Sequence, residues 1–157
     1  GFRGCGRQPE DFYRAENSLM NRVFERKRGI PISLAVVYRA VGQSAGLDLY
    51  GANFPGHFFL GYGSSPEAGL LDPFENLSAP TGPKADALLS YAYGQPLRLD
   101  PDWSKGPRLP QRVLLRRMVR NLQNVYERKE NLGPAARLAT YGQVLDRLIE
   151  DAEDANY

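Results

Sequence analysis

The run Pro31-Ile32-Ser33-Leu34-Ala35-Val36-Val37-Tyr38-Arg39-Ala40-Val41 is apolar around most of its circumference once wound into a helix. Pro31 suits the first helical turn, where a missing N–H costs nothing, and Gly46 ends the pattern. A helix with so little polar surface has to be covered on several sides. The rest of the chain must therefore provide a sheet or further helices around it.

The flanking segments supply both. Asn17-Ser18 offers N-cap side chains ahead of Leu19, Met20, Val23 and Phe24, which share one helical face. That helix is expected to close at Arg26-Lys27-Arg28 with Gly29 at the C′ position. Cations there complement the helix dipole, which explains the basic cluster better than a binding patch does. Residues 1–16 show no lasting apolar period and are expected to form an arm without regular elements. Leu47–Tyr50, Phe58–Tyr62 and Gly69–Asp72 read as short strands, the last two joined by the turn-forming Ser64-Ser65-Pro66-Glu67. Residues 76–110 are rich in Pro and Gly and are broken by one short helix over Ala85–Tyr93. Leu114, Met118, Leu122 and Val125 then mark an amphipathic helix, Asn131-Leu132-Gly133-Pro134 breaks it, and Leu138, Tyr141, Leu145 and Leu148 mark a second. The pair predicts an αα-hairpin.

Composition narrows the classes of function. A net charge of +2, from 20 basic and 18 acidic residues, gives no global field to hold a polyanion, so no nucleic-acid partner is expected. Cys5 is the single cysteine and cannot form an internal disulfide, which suits a reducing, cytoplasmic setting. No apolar stretch approaches the roughly 20 residues of a spanning helix, so no membrane role is expected. The first residue is not Met, which fits a fragment or a processed product. One His, one Cys and scattered carboxylates show none of the close spacings of metal motifs, and Gly1, Gly4 and Gly6 do not form a phosphate loop. No metal or cofactor is expected.

Any histidine chemistry must use His57, the one histidine of the chain, in Phe54-Pro55-Gly56-His57-Phe58-Phe59-Leu60. An imidazole works best with a carboxylate that holds its tautomer and a nucleophile in reach. Asp72, on the neighbouring strand, can supply the carboxylate. Ser33, at the start of the central helix where the dipole favours negative charge, can supply the nucleophile. Each residue also has a plainer use: Ser33 as a helix cap, His57 as a satisfied, partly buried imidazole, and Asp72 as the residue that starts a turn before Pro73. Arg112, Arg116, Arg117 and Arg120 read as a solvated helix face, or as a dock for an acidic protein partner.

Four motifs in order, Asn17-Ser18-Leu19-Met20-Asn21-Arg22-Val23, Arg28-Gly29-Ile30-Pro31-Ile32-Ser33-Leu34, Phe54-Pro55-Gly56-His57-Phe58 and Asp72-Pro73-Phe74, resemble the bacterial transglutaminase-like family named for the invasion regulator SirB. Leu115-Arg116-Arg117-Met118-Val119-Arg120-Asn121-Leu122 is similar to that family's tetratricopeptide-type helical tail. The resemblance implies an α+β, papain-like core over residues 1–110, with a central helix on a small antiparallel sheet, and a helical hairpin over 111–157. It also implies Ser33, His57 and Asp72 as the site, with Ser33 where the wider superfamily has a cysteine. A serine hydroxyl must lose its proton during attack, whereas a thiol can be held as thiolate. The expected function is a non-catalytic binding or regulatory module with a protein partner. The alternative is a serine-dependent hydrolase or acyltransferase. Cys5, in the arm, is a poor substitute nucleophile.

Overall fold

The computed structural model describes residues 1–54, 57–63, 69–80, 82–98 and 108–154. The arm turns out to be woven into the fold. β1 (Arg3–Gly4) pairs in parallel with β2 (Arg28–Gly29), Cys5 N donates to Gly29 O at 3.0 Å, and the Tyr38 hydroxyl donates to Phe2 O at 2.9 Å. α1 (Pro9–Phe12) and a 3-10 turn at Ala15–Asn17 follow. Elements of two to four residues are too short to leave a periodic signal. At Gly4 an added Cβ would lie 2.8 Å from the Phe74 carbonyl oxygen, so the arm can approach the loop after Asp72 only as glycine.

α2 (Met20–Arg26) is shorter than its apolar pattern suggests, and neither Asn17 nor Ser18 caps it. The N-cap position is Leu19, without a side-chain bond, and the helix ends at Lys27 in the left-handed region (φ 52°). Gly29, expected just past the helix, is instead paired in β2. Asn17 is fully buried and staples the segment together: Nδ2 donates to Asp11 O at 2.6 Å and Phe12 O at 3.2 Å, and Oδ1 accepts from Arg26 at 3.1 Å. Asn17→Ala leaves the partly buried carbonyls of Asp11 and Phe12 without this donor and should cost about 2 kcal/mol in urea unfolding; a cost near zero would show that water replaces the amide.

α3 (Pro31–Ser44) is the central helix. One side carries Ile32 and Ala35, which pack with Leu49, Phe58 and Leu60; another carries Leu34 and Val37, which pack on Val23 of α2. Sheet and helix thus cover two sides of a helix that is apolar around most of its circumference.

The sheet has three antiparallel strands, β3 (Leu49–Phe54), β4 (His57–Tyr62) and β5 (Gly69–Leu71), with β4 in the middle. β3 starts two residues later than its pattern suggests, because Gly46 (φ 77°) and a bond from Leu47 N to Gly42 O at 2.8 Å prolong the turn after α3. The register pairs Phe54 with His57, Ala52 with Phe59 and Leu60 with Leu71. Phe58 and Leu60 face α3, while Phe59 points the other way, onto Phe54, Ala52 and Leu70. β4 is therefore buried on both faces, which is why it reads as a continuous apolar run. The turn expected at Ser64-Ser65-Pro66-Glu67 lies outside the described residues.

α4 (Gly82–Tyr93) begins three residues ahead of its apolar pattern. α5 (Gln111–Arg128) and α6 (Leu132–Asp154) form the hairpin, with Pro134 in the first turn of α6 rather than in the break. Leu114 of α5 joins the cluster beneath the sheet with Ile32, Phe58 and Leu60. On α6 the expected stripe is only half right, since Tyr141 and Leu148 are exposed. The inward face instead carries Ala135, Leu138, Gly142 and Leu145. Gly142 leaves room for Arg116, whose guanidinium forms a two-pronged pair with Asp146 at 2.6 and 2.9 Å. Among the described residues no helix is long and apolar enough to cross a membrane.

Candidate active site

Asp72 follows β5 and is fixed before its side chain makes any contact. Its N–H donates to Ser78 O at 2.9 Å, and its carbonyl accepts from Leu77 N at 2.8 Å. The loop curls back through Asn76 and Leu77, both at positive φ (53° and 61°). That conformation is costly for a leucine, and Leu77 packs against the main core cluster in return.

The Asp72 carboxylate is wholly buried and serves three donors. Oδ1 accepts from Phe74 N at 2.9 Å and lies 3.1 Å from His57 Nε2; Oδ2 accepts from Lys84 Nζ of α4 at 2.9 Å. Burial alone pushes the carboxyl pKa up, but the bonds from His57, Lys84 and Phe74 N outweigh it and hold it at about 2. Asp72 is thus an anion at neutral pH that both starts the turn at Pro73 and orients the imidazole.

His57 opens β4. Its ring sits 4.5 Å from that of Phe59, centroid to centroid, and Asp72 holds Nε2. Nδ1 has no hydrogen-bond partner among the described residues. A cleft of about 230 Å³ lies beside it, walled by Pro31 and Ile32 of α3, His57 and Phe58 of β4, and Arg117 and Asn121 of α5. A larger groove of about 360 Å³ between α2, α3 and α5 is mainly apolar and contains neither the imidazole nor the carboxylate. His57 lines the smaller one.

Ser33 does not join this pair. It is the third residue of α3, fully buried, and its Oγ has no hydrogen-bond partner among the described residues, so it neither caps the helix nor bonds His57. The side chain stands one turn before Val37, on the side of α3 that meets α2. A Cβ added at Gly29 would lie 3.4 Å from Ser33 Cβ and 3.3 Å from Val23 Cγ1. Cys5 is also buried, and burial raises its thiol pKa to about 11, which keeps it protonated and unreactive.

Lys84 escaped the sequence reading, since nothing in Pro83-Lys84 marks a partner 12 residues away. Arg117, expected on a solvated face or at a dock for an acidic partner, is half-buried against the cleft. A signal for it did exist: Arg117, Asn121, Asn124 and Arg128 follow i, i+4, i+7, i+11, a polar stripe along one side of the helix. Among the described residues no group of three or more His, Cys, Asp or Glu could hold a metal ion.

A family model described as the transglutaminase-like superfamily matches residues 1–120. The chain belongs to that superfamily. Among curated relatives of this transglutaminase-like chain, a UPF0162 protein of Xylella fastidiosa (strain Temecula1) is 35% identical over 134 residues, 83% of this chain and 47% of the relative. A UPF0162 protein of Haemophilus influenzae is 25% identical over 146 residues, 93% of this chain and 52% of the relative. The F-box only protein 21 of Mus musculus is 40% identical over 65 residues, 41% of this chain and 10% of the relative. The chain thus spans about half the length of these bacterial relatives. No solved structure matches it.

Proposed function

We propose that this transglutaminase-like domain is a binding module, with a papain-like arrangement of helix and sheet that has kept the His57–Asp72 pair and given up nucleophilic catalysis. One observation carries the reading: the Ser33 hydroxyl, at the position of the superfamily's cysteine, is fully buried without a partner among the described residues. A nucleophile has to reach both a substrate and a base, and a hydroxyl sealed in the core reaches neither. The cleft beside His57, with the tetratricopeptide-like hairpin of α5 and α6, then serves to hold a protein partner.

The competing reading has Ser33 attack a carbonyl while His57 takes its proton and Asp72 orients the ring. It is favoured by the intact His57–Asp72 bond and by an Nδ1 that has no partner among the described residues. A fluorophosphonate probe separates the two. The binding reading expects no label on Ser33 after prolonged exposure; stoichiometric labelling that His57→Ala abolishes would overturn it. Ser33→Cys adds a second check, since a buried thiol should alkylate slowly whether or not His57 is present. Ser33→Ala removes an unsatisfied buried hydroxyl and should leave stability unchanged or raise it by up to about 1 kcal/mol in urea unfolding. A loss of more than that would reveal a hydrogen bond to the hydroxyl.

A further inference from the structure

The wall of the cleft that faces His57 is cationic, and no carboxylate among the described residues pairs with it. Arg117 is half-buried, its guanidinium lies 5.4 Å above the Phe58 ring, and its Nη1 is buried without a hydrogen-bond partner among the described residues. Arg117 forms no ion pair among these residues, whereas its neighbour Arg116 is fully engaged by Asp146. Arg128, three turns further along α5 at the rim, is held 4.2 Å above the Tyr13 ring and also lacks an ion pair. An aromatic face steadies a guanidinium without using its N–H edge, which stays available for a planar acceptor. Between the two arginines, Asn121 and Asn124 line the same cleft, and their side-chain amides have no partner among the described residues. Ile32, in the first turn of α3, also lines the cleft, and its amide has no acceptor within the helix.

A half-buried cation without a partner is costly unless something supplies the missing charge. Nearby, Asp72 is already matched by Lys84, so it offers none. The inner cleft therefore presents one net positive charge, from Arg117, with Arg128 at the exposed rim. That balance suits a monoanion and leaves a dianion half unneutralised.

From this arrangement we infer that the cleft takes the carboxylate of a peptide, gripped by Arg117 and the two asparagines, with His57 against the adjoining chain. The inference rests on the reading of the cleft as a binding site and gives that site a ligand class. A carboxylate reaches such a cleft either as an acidic side chain or as a chain terminus.

The test titrates the whole chain with N-acetyl-Gly-Gly, which carries a terminal carboxylate, and with N-acetyl-Glu-amide, which carries a side-chain one. N-acetyl-Gln-amide and inorganic phosphate are the controls, and the readout is the NMR shifts of the arginine Nε–H, the asparagine amides and the His57 ring. At least one acid should saturate with a dissociation constant on the order of 1 mM, as a dozen well-placed heavy atoms allow. The acid that binds identifies the source. Arg117→Gln should weaken it roughly 10-fold or more, the cost of a charge-assisted bond. Arg128→Gln, at an exposed position that cannot threaten the fold, should weaken it roughly 2- to 5-fold. Equal binding of the glutamine amide, tighter binding of phosphate, absence of saturable binding, or indifference to both arginine variants would each overturn the inference. Failure here without Ser33 labelling removes the ligand class and leaves the binding reading standing; Ser33 labelling with intact carboxylate binding does the reverse.

Discussion

Asp72→Ala should lower the unfolding free energy by about 3 kcal/mol, because it strips the partner from three donors at once. Phe74 N and the inner edge of His57 are left facing a void, while Lys84, about two-fifths exposed, can turn back to water and limits the loss. Asp72→Asn separates the contributions. With its amide oxygen in the place of Oδ1 it can still accept from Phe74 N and His57 Nε2, but its NH2 group then faces Lys84 and the negative charge is gone, so about half of the loss should remain. Acid has the same target. A carboxylate whose pKa is about 2 in the folded state, against 3.8 in the unfolded chain, stabilises fully above pH 3.8 and loses that contribution as pH falls toward 2. The size of the shift corresponds to about 2 kcal/mol. Urea midpoints measured from pH 5 down to pH 2 should drop in the native sequence and stay flatter in Asp72→Ala. Parallel curves would mean that Asp72 is not the group being titrated.

Phe59→Ala should cost about 3–5 kcal/mol, the usual range for emptying a fully buried phenylalanine site. Its consequence for the site is more particular than the loss of volume. Phe59 meets Phe54 edge to face at 5.0 Å and supports the His57 ring at 4.5 Å, so it joins the two strands that present the imidazole. Phe59→Leu should recover most of the stability, since the aliphatic side chain refills much of the space, but not the ring contact. The His57 ring resonances should then broaden or shift in the leucine variant although the fold is intact. If they keep their native positions, Asp72 alone orients the imidazole.

How much of this was readable beforehand follows from the length scale of each signal. α3 announces itself through Pro31 and the mostly apolar run that follows it to Val41, and β4 through a run buried on both faces. The β1–β2 pair could not, because two residues have no period and their partner is some 25 residues away. His57 and Asp72 were recognisable as chemical types at the ends of neighbouring strands, and the structure brings them to 3.1 Å. Lys84 was invisible, since a helix start and a loop carboxylate share no pattern. The orientation of Ser33 was equally beyond reach: a shift of 100° around a helix decides between cleft and core, and a serine suits either. The stripe from Arg117 to Arg128 is legible as spacing, but spacing alone does not separate a cleft wall from a solvated face.

One wall of the cleft belongs to α5 and the other walls to the sheet and α3. The cleft is thus a seam between two parts of the chain, and cutting the chain at residue 110 would take away both arginines and both asparagines together. It also makes affinity and architecture a single equilibrium. A group seated between Arg117 and His57 fastens the hairpin to the sheet, and anything that tightens that fastening must, by reciprocity, raise the affinity of the group.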